Sequence, residues 1–409
     1  MKVIDGGVTA AAGFKAAGVK AGVKYENRLD MAMVYSEKPC VAAGTFTSNV
    51  VKAAPVLWDR RIIREDAGKV RAVVVNTGIA NAGTGSEGLR LCEETASKAA
   101  ECLGIEKDEV LVGSTGVIGP QLNMKAILAG VEKLAGSLSD DREAAHTASK
   151  AIMTTDTHPK ECAVELTIGG STVKLGGMAK GSGMIHPNMC TMLGYITSDI
   201  SISHDLLQRA LSDVVEDTFN MISVDGDTST NDTLIVMANG EAGNPEIVSE
   251  GDDYDAFREA LFHVTRDLAR QLAGDGEGAT KLITCHVTRA ASKDKAKTLA
   301  KSVITSSLTK AAMYGNDANW GRILCAMGYS GAQFDPDAID IYFDAEGCER
   351  MHIYHDGSAL PFSEEEATAL LGHKEVVITC DMREGSEEAT AWGCDLTHEY
   401  VNINADYRS

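Results

Sequence analysis

Short apolar runs alternate along this chain with stretches in which apolar residues recur every third or fourth position, a pattern that predicts strands interleaved with helices. Arg71-Ala-Val-Val-Val-Asn76 has the β-branched density of a buried strand and runs into a turn-rich stretch, Thr77 to Gly88. A helix follows over 89–103, with Cys92, Ala96, Ala99 and Leu103 on one face and Gly104 as its stop. Val110-Leu-Val then leads directly into Gly113-Ser-Thr-Gly-Val-Ile-Gly119. The period predicts a second long helix over 204–222, capped by Ser203, turning Leu207, Leu211, Val214, Thr218 and Met221 inward. Further helices are expected over 254–273 and 294–312, and Ser363-Glu-Glu-Glu366 reads as a capping box for a helix that stops at Gly372. Strands at 281–288, 339–344 and 375–381 complete the pattern, and no repeat or low-complexity segment interrupts it. Periodicity therefore supports a mixed α/β fold class.

One stretch breaks the pattern. Gly176 to Gly194 has neither a helical nor a strand period, carries five glycines, and places Thr191 inside an apolar Met-Cys-Thr-Met-Leu patch. Such a stretch predicts a loop able to curl tightly around one peptide bond. A threonine hydroxyl is a poor nucleophile without a base beside it, and its own freed α-amine is one such base. Breakage of the Cys190–Thr191 bond would supply that amine. Spacing alone does not separate this reading from an ordinary glycine-rich turn.

Composition narrows the classes of function. At 44% hydrophobic the chain can bury a sizeable core, and with aromatics at 5% that core must rest on Ala, Val, Leu, Ile and Met. The formal net charge of −21 argues against nucleic acid or an anionic membrane as partner and fits a protein whose surface keeps it dissolved. Ten cysteines stand singly, at 40, 92, 102, 162, 190, 285, 325, 348, 380 and 394. None forms a Cys-x-x-Cys pair or a zinc-spaced cluster with histidine, so they read as buried thiols of a reducing compartment. The N-terminal residues lack the apolar core of a signal peptide and no run of about 20 apolar residues is present, which makes the cytoplasm the default.

Three signals are set aside on chemical grounds. Gly274-Asp-Gly-Glu-Gly-Ala-Thr-Lys281 resembles a phosphate loop, but its lysine is displaced and helix precedes strand, the reverse of what phosphate cradling needs. Asp225-Gly-Asp-Thr-Ser-Thr-Asn-Asp232 lacks the distal glutamate of a calcium loop. His352-Ile-Tyr-His355 has two metal-capable rings without an evident third ligand and reads as a surface strand.

Gly177-Met-Ala-Lys180-Gly-Ser-Gly-Met-Ile185-x-Pro187-Asn188-Met189-x-Thr191-Met-Leu resembles the self-cleavage segment of the ornithine/glutamate N-acetyltransferase family. Further blocks run the length of the chain: Thr45-Phe-Thr-x-Asn49, Ala53-Ala-Pro55, Ser114-Thr-Gly-Val-Ile-Gly119 and Met153-Thr-Thr-Asp-Thr157 before the cut, then Ser223 to Thr233, Asn319-Trp-Gly-Arg-Ile323 and Tyr400-Val-x-Ile-Asn-Ala-x-Tyr407. The resemblance implies a layered αββα-type sandwich of the N-terminal-nucleophile kind. It also implies self-cleavage into chains 1–190 and 191–409, with the cut inside one intertwined folded unit and the products paired as a heterotetramer of two alpha and two beta chains.

In that family's chemistry Thr191 is the nucleophile both for cleavage and for moving an acetyl group from N-acetylornithine to glutamate in arginine biosynthesis. Thr115 and Gly116 would form the oxyanion hole. Lys180, Thr154, Thr191, Glu277, Asn404 and Ser409 would bind substrate, with Thr155 and Thr157 as neighbouring alternatives to Thr154. No metal or organic cofactor is implied, and whether acetyl-CoA serves as a second donor stays open. Two departures stand out. Cys190 replaces the family's usual alanine, which makes a cut after Met189 a rival, since a thiol is the better nucleophile. Asn76-Thr-Gly-Ile-Ala-Asn81 carries Ile79 where the family is commonly polar. Two other readings stay open: an amidohydrolase or aminopeptidase with water as acceptor, and a non-catalytic amino-acid-binding protein on the same scaffold.

Overall fold

The structure, a computed structural model, describes residues 1–65, 67–186 and 192–406. The chain divides into two compact units. The first takes Met1–Gly181, residues 192–219 and Thr228–Leu268, and the second takes residues 182–186, Asn220–Asp227 and 269–406. Each is built on one sheet flanked by helices, so the fold is mixed α/β.

The sheet of the first unit orders its strands as Lys2–Ile4, Lys160–Ile168, Ser171–Lys180, Leu193–Ser198, Thr233–Ala238, Met31–Phe46, Val70–Asn76 and Val110–Ser114, with Phe14–Val19 added against Met31–Phe46. Pairing is antiparallel except between Leu193–Ser198 and Thr233–Ala238 and between Val70–Asn76 and Val110–Ser114. Those parallel strands are buried along almost their whole length, as parallel pairing with covered faces requires. Helices Ala54–Glu65, Gly85–Leu103, Met124–Gly136 and Arg142–Ala151 pack on this sheet or on one another over a core of Val, Ala, Leu, Ile and Met. Helix Gly85–Leu103 ends where Gly104 turns left-handed, at φ 69°, and donates its N–H to Ala100 O, the close that glycine favours.

The second unit's sheet runs Ser358–Ala359, Met351–His355, Asp340–Asp344, Glu375–Asp381, Leu282–Ala290, Glu387–Cys394 and Ile222–Ser223. Helix Lys293–Thr305 packs on Leu282–Ala290 and Glu387–Cys394. No helix among the described residues is long and apolar enough to cross a membrane.

Several sequence expectations are corrected here. The glycine-rich stretch begins inside a strand: Gly176 and Gly177 belong to Ser171–Lys180. A Cβ on Gly176 would lie 1.9 Å from Gly7 O, so this glycine admits a second backbone instead of making a turn. The helix expected over 294–312 is two helices, Lys293–Thr305 and Ser307–Tyr314, because Ser306 leaves helical geometry and its hydroxyl accepts from Thr309 N to start a new one. The helix expected over 204–222 stops at Glu216, and Ser203, although extended and correctly placed, makes no side-chain cap bond. Beyond it, Thr218 turns its hydroxyl back to Val214 O at 2.7 Å. Of the nine described cysteines, Cys325 is exposed and Cys102 and Cys348 are half-buried, so the uniform burial expected of them is not found; all nine are free.

Candidate active site

In the first unit, the parallel strands Val70–Asn76 and Val110–Ser114 end side by side and are locked there by polar side chains. Ser114 Oγ donates to Asn76 Oδ1 at 2.7 Å, and Asn76 Nδ2 donates to Ile79 O at 2.9 Å. Asn231 clamps the same spot, its Nδ2 reaching Ala80 O at 2.6 Å and Ser114 O at 2.8 Å. Thr115 follows directly. Its amide is committed to Asn76 O at 3.0 Å, which leaves the hydroxyl as its available donor. Gly116 sits at φ +130°, and a Cβ on it would meet the Gly78 carbonyl carbon at 2.3 Å. Only glycine fits, and its amide donates to no acceptor among the described residues. A rigid turn thus presents one hydroxyl and one N–H without a conformational rearrangement, the arrangement that stabilises a developing oxyanion.

Lys180 ends its strand nearly buried, with Nζ 3.5 Å from Thr115 Oγ1. Close by lies a fully buried ion pair, Lys160 Nζ to Asp156 Oδ1 at 2.7 Å, with both side chains 0% exposed. The same carboxylate accepts from Gly181 N at 2.7 Å and from Thr154 N at 3.0 Å. Burial by itself would raise the Asp156 carboxyl, but the charges of Lys180 and Lys160 and the bonds from Lys160 and Thr154 outweigh it and hold it well below the usual carboxylate range. Asp156 therefore stays ionised, fixing the backbone at Thr154 and at Gly181, directly after Lys180. Thr154 is held as well through its carbonyl, which accepts from Arg28 Nη1 at 3.2 Å, so its backbone is fixed while its hydroxyl makes no bond among the described residues.

Asp232 behaves in the opposite way. It is fully buried, and burial pushes its carboxyl well above the usual range, only partly opposed by bonds from Ser229 and Thr47 and by the Lys180 charge. The sequence motifs assign no role to Asp156, Asn231 or Asp232. They lie inside the blocks Met153–Thr157 and Ser223–Thr233, and that position was the one available signal.

The second unit gathers a different set. Glu277 N donates to Ser182 O at 2.9 Å, and the side chain is buried against Gly183, where a Cβ would collide with Oε2 at 2.3 Å. Asn404, on the helix His398–Ala405, donates Nδ2 to Glu277 Oε2 at 2.6 Å. One turn earlier on that helix, Tyr400 OH donates to Asp225 Oδ2 at 3.2 Å. Burial first, and then the Asp225 charge, push that phenol upward. Asp225 also accepts from Met184 N at 2.6 Å and Ile185 N at 2.9 Å, so the acidic stretch fixes residues 184–185. His186, 3.1 Å from Ser223 Oγ through Nδ1, is brought down to about 4 by burial and by Lys301, with Asp225 opposing. Cys190, Thr191 and Ser409 lie outside the described residues. Met192 and Leu193, which follow Thr191 in sequence, lead into the strand whose Leu193 pairs with Lys180.

Two of the signals set aside resolve as follows. Lys281 gives its ammonium to Asn316 Oδ1 and Leu371 O, each at 2.6 Å, and holds the unit together from inside. His352 and His355 do lie on a strand, but the fold supplies the third group the sequence hid: Asp340 Oδ1 is 3.0 Å from His352 Nε2 and 2.5 Å from His355 Nδ1. Arg383 Nε, 3.3 Å from Asp340 Oδ2, already balances that carboxylate.

The family model of the ArgJ family matches residues 15–409, a span that takes in every candidate residue from Thr115 to Ser409. The chain belongs to that family. Its relatives in the family include the arginine biosynthesis bifunctional protein ArgJ of Symbiobacterium thermophilum, 50% identical over 411 residues and 100% of both chains. The protein of the same description from Thermotoga neapolitana is 47% identical over 397 residues, covering 97% of this chain and 99% of that one. Among solved structures, arginine biosynthesis bifunctional protein argJ from Bacillus halodurans is 47% identical, covering 52% of this chain and 97% of that chain, with a TM-score of 0.49. Ornithine acetyltransferase complexed with ornithine, from Mycobacterium tuberculosis, is 42% identical over 46% of this chain and 98% of that chain, with a TM-score of 0.42.

Proposed function

We propose that this chain is an acetyltransferase of arginine biosynthesis that moves the acetyl group of N-acetylornithine to glutamate through an acetyl-threonine intermediate on Thr191. Membership of the ArgJ family along residues 15–409 supports the activity. The observation that carries the mechanism is the Thr115–Gly116 turn, with a hydroxyl and an unengaged amide beside the nearly buried Lys180.

In this reading the chain cuts itself between Cys190 and Thr191. The Thr191 hydroxyl attacks the Cys190 carbonyl, and collapse of that adduct breaks the C–N bond to leave an ester and a free Thr191 amine; water then opens the ester, releasing the Cys190 carboxylate and the Thr191 hydroxyl. That amine then takes the hydroxyl proton as Thr191 attacks the acetyl carbonyl of N-acetylornithine. Charge collects on the carbonyl oxygen, where Thr115 and Gly116 donate, a contribution of about 3–4 kcal/mol for such a donor. The intermediate collapses with ornithine leaving as its amine, and the amine of glutamate attacks the acetyl-threonine in turn. Lys180 pairs with a substrate carboxylate, Thr154 offers its hydroxyl, Glu277 receives the substrate ammonium, and Asn404 and Ser409 are further substrate ligands.

The chemistry as proposed uses no metal or organic cofactor, and acetyl-CoA is a candidate second donor. The two products of cleavage stay together as a heterotetramer in the cytoplasm. The test is to incubate the processed protein with N-acetylornithine, with and without glutamate. Acetylglutamate formed only when glutamate is present supports transfer. Acetate released equally in both tubes would make the protein a hydrolase, and no acetyl loss in either would leave a binding protein.

A further inference from the structure

The first unit holds a cavity of about 630 Å³ between the end of the strand Met31–Phe46 and the two residues after it, the helix Ala54–Glu65 and the start of the helix His204–Glu216. That volume suits a small molecule rather than a lone ion. Its lining includes Lys52, Arg60, Arg64 and His204 and no Asp or Glu, although the chain carries 59 acidic and 38 basic residues.

The two arginines and the lysine of the lining have no acidic partner among the described residues. Arg60 and Arg64, one turn apart on the same helix, form no ion pair among the described residues, and like charges at this spacing repel. Arg61, on the same helix but not in the lining, pairs with both Glu65 and Asp108, so acids are available where the helix turns elsewhere. Lys52 gives its ammonium to a neutral acceptor, Asn49 O, at 2.6 Å. His204 Nε2 has no hydrogen-bond partner among the described residues, while Nδ1 of the same ring lies 3.4 Å from Asp205 Oδ1. It stands in the first turn of a 13-residue helix, whose N-terminal end adds positive potential that Ser203 does not cap with its side chain. Phe46 and Ile63 give the cavity an apolar wall.

We propose that this cavity binds a small molecule bearing two or more phosphate groups, its oxygens held by Arg60, Arg64 and Lys52 and its ring or apolar portion lying against Phe46 and Ile63. Guanidinium forks match phosphate oxygens in pairs, and a single carboxylate would leave most of this charge unbalanced. A nucleic acid strand is disfavoured by the net charge of −21. The cavity stands one residue from the candidate active site: Thr47, in its lining, donates its amide to Asp232 O at 3.0 Å, and the Asp232 carboxyl senses Lys180. The ligand's source is therefore either a phosphorylated acetyl donor or a free nucleotide that tunes the reaction.

Calorimetric titration of the processed protein with inorganic pyrophosphate, ADP and acetate tests the site without reference to acetyl transfer. Saturable binding of the first two but not of acetate, weakened at least tenfold in the R60A/R64A double variant and retained in R61A, supports it. No saturable binding of pyrophosphate or ADP up to millimolar concentration, or equal affinity in R60A/R64A, overturns it. Kinetics then separate the sources. A raised KM for acetyl-CoA in R60A/R64A, with the N-acetylornithine reaction unchanged, marks a donor subsite. A loss of ADP's effect on either reaction marks an effector site.

Discussion

The buried pair Asp156–Lys160 lends itself to a quantitative test. In Asp156→Asn the side chain keeps its size but loses its charge, while three donors still point at it: Lys160 Nζ, Gly181 N and Thr154 N, at 2.7, 2.7 and 3.0 Å. An asparagine offers one acceptor oxygen, and its amide nitrogen would face one of those donors. Lys160, 0% exposed, is then left without its countercharge. Removing one partner of a buried pair costs about 3–5 kcal/mol. A unit of this size loses about 2–4 °C in Tm per kcal/mol, so the expected drop is roughly 6–20 °C. Thermal melts are best compared in the Thr191→Ala background, which the account predicts to remain one chain, so that separation of cleavage products does not enter. Replacing both partners by apolar residues, as in D156L/K160M, should recover part of the loss, because no orphaned charge remains. A Tm within 2 °C of the parent for Asp156→Asn would refute the reasoning, since the carboxylate would then carry no net stabilisation.

Other consequences are equally direct. Gly116→Ala places a methyl against Gly78 at a left-handed φ and displaces the amide, so kcat should fall about 10²–10³-fold with KM little changed, provided circular dichroism shows a folded protein. Glu277→Gln should raise KM for the amino-acid substrates by about 10–100-fold, the worth of one hydrogen bond to a charged group, as read by steady-state kinetics. His186 is held at about 4 against an ordinary value of 6.5, so the unfolded chain binds more protons between those values. Its contribution is complete above pH 6.5 and is lost as pH falls towards 4. At 1.36 kcal/mol per unit the full shift is roughly 3 kcal/mol, which screening of the partly exposed ring reduces to about 1–2 kcal/mol. Denaturant unfolding of wild type and His186→Gln across that window should show the wild type alone losing this increment.

What the chain discloses before folding depends on how local the cause is. Val70–Asn76 and Val110–Ser114 are legible because β-branched runs buried by parallel pairing need no partner to be recognised. Met31–Phe46 is not: Ser-Glu-Lys-Pro interrupts its apolar run, and the sheet absorbs that interruption through a register shift between Tyr35 and Cys40. Gly176 reads as a turn because nothing near it in sequence shows that Gly7 will lie against it. The helix over 294–312 keeps its apolar period through Ser306, and only the cap bond to Thr309 shows the break. At the site, the turn Ser114-Thr-Gly is visible as a motif, whereas the need for glycine at 116 comes from Gly78, across a chain reversal. Asp156 and Lys160 stand four residues apart, a spacing that suggests a helical surface pair, yet they meet fully buried at the start of a strand. The Asp340, His352 and His355 cluster is assembled by strand pairing and stays invisible until the strands are laid side by side.

The central claim is that Thr191 acquires its base through breakage of the backbone before it. Intact-mass spectrometry and N-terminal sequencing of active protein, alongside Thr191→Ala, address this most directly. The account predicts two chains, the second starting at Thr191, and an uncut, inactive Thr191→Ala. Full activity in an intact chain of 409 residues would contradict it, as would a second chain that starts at Cys190.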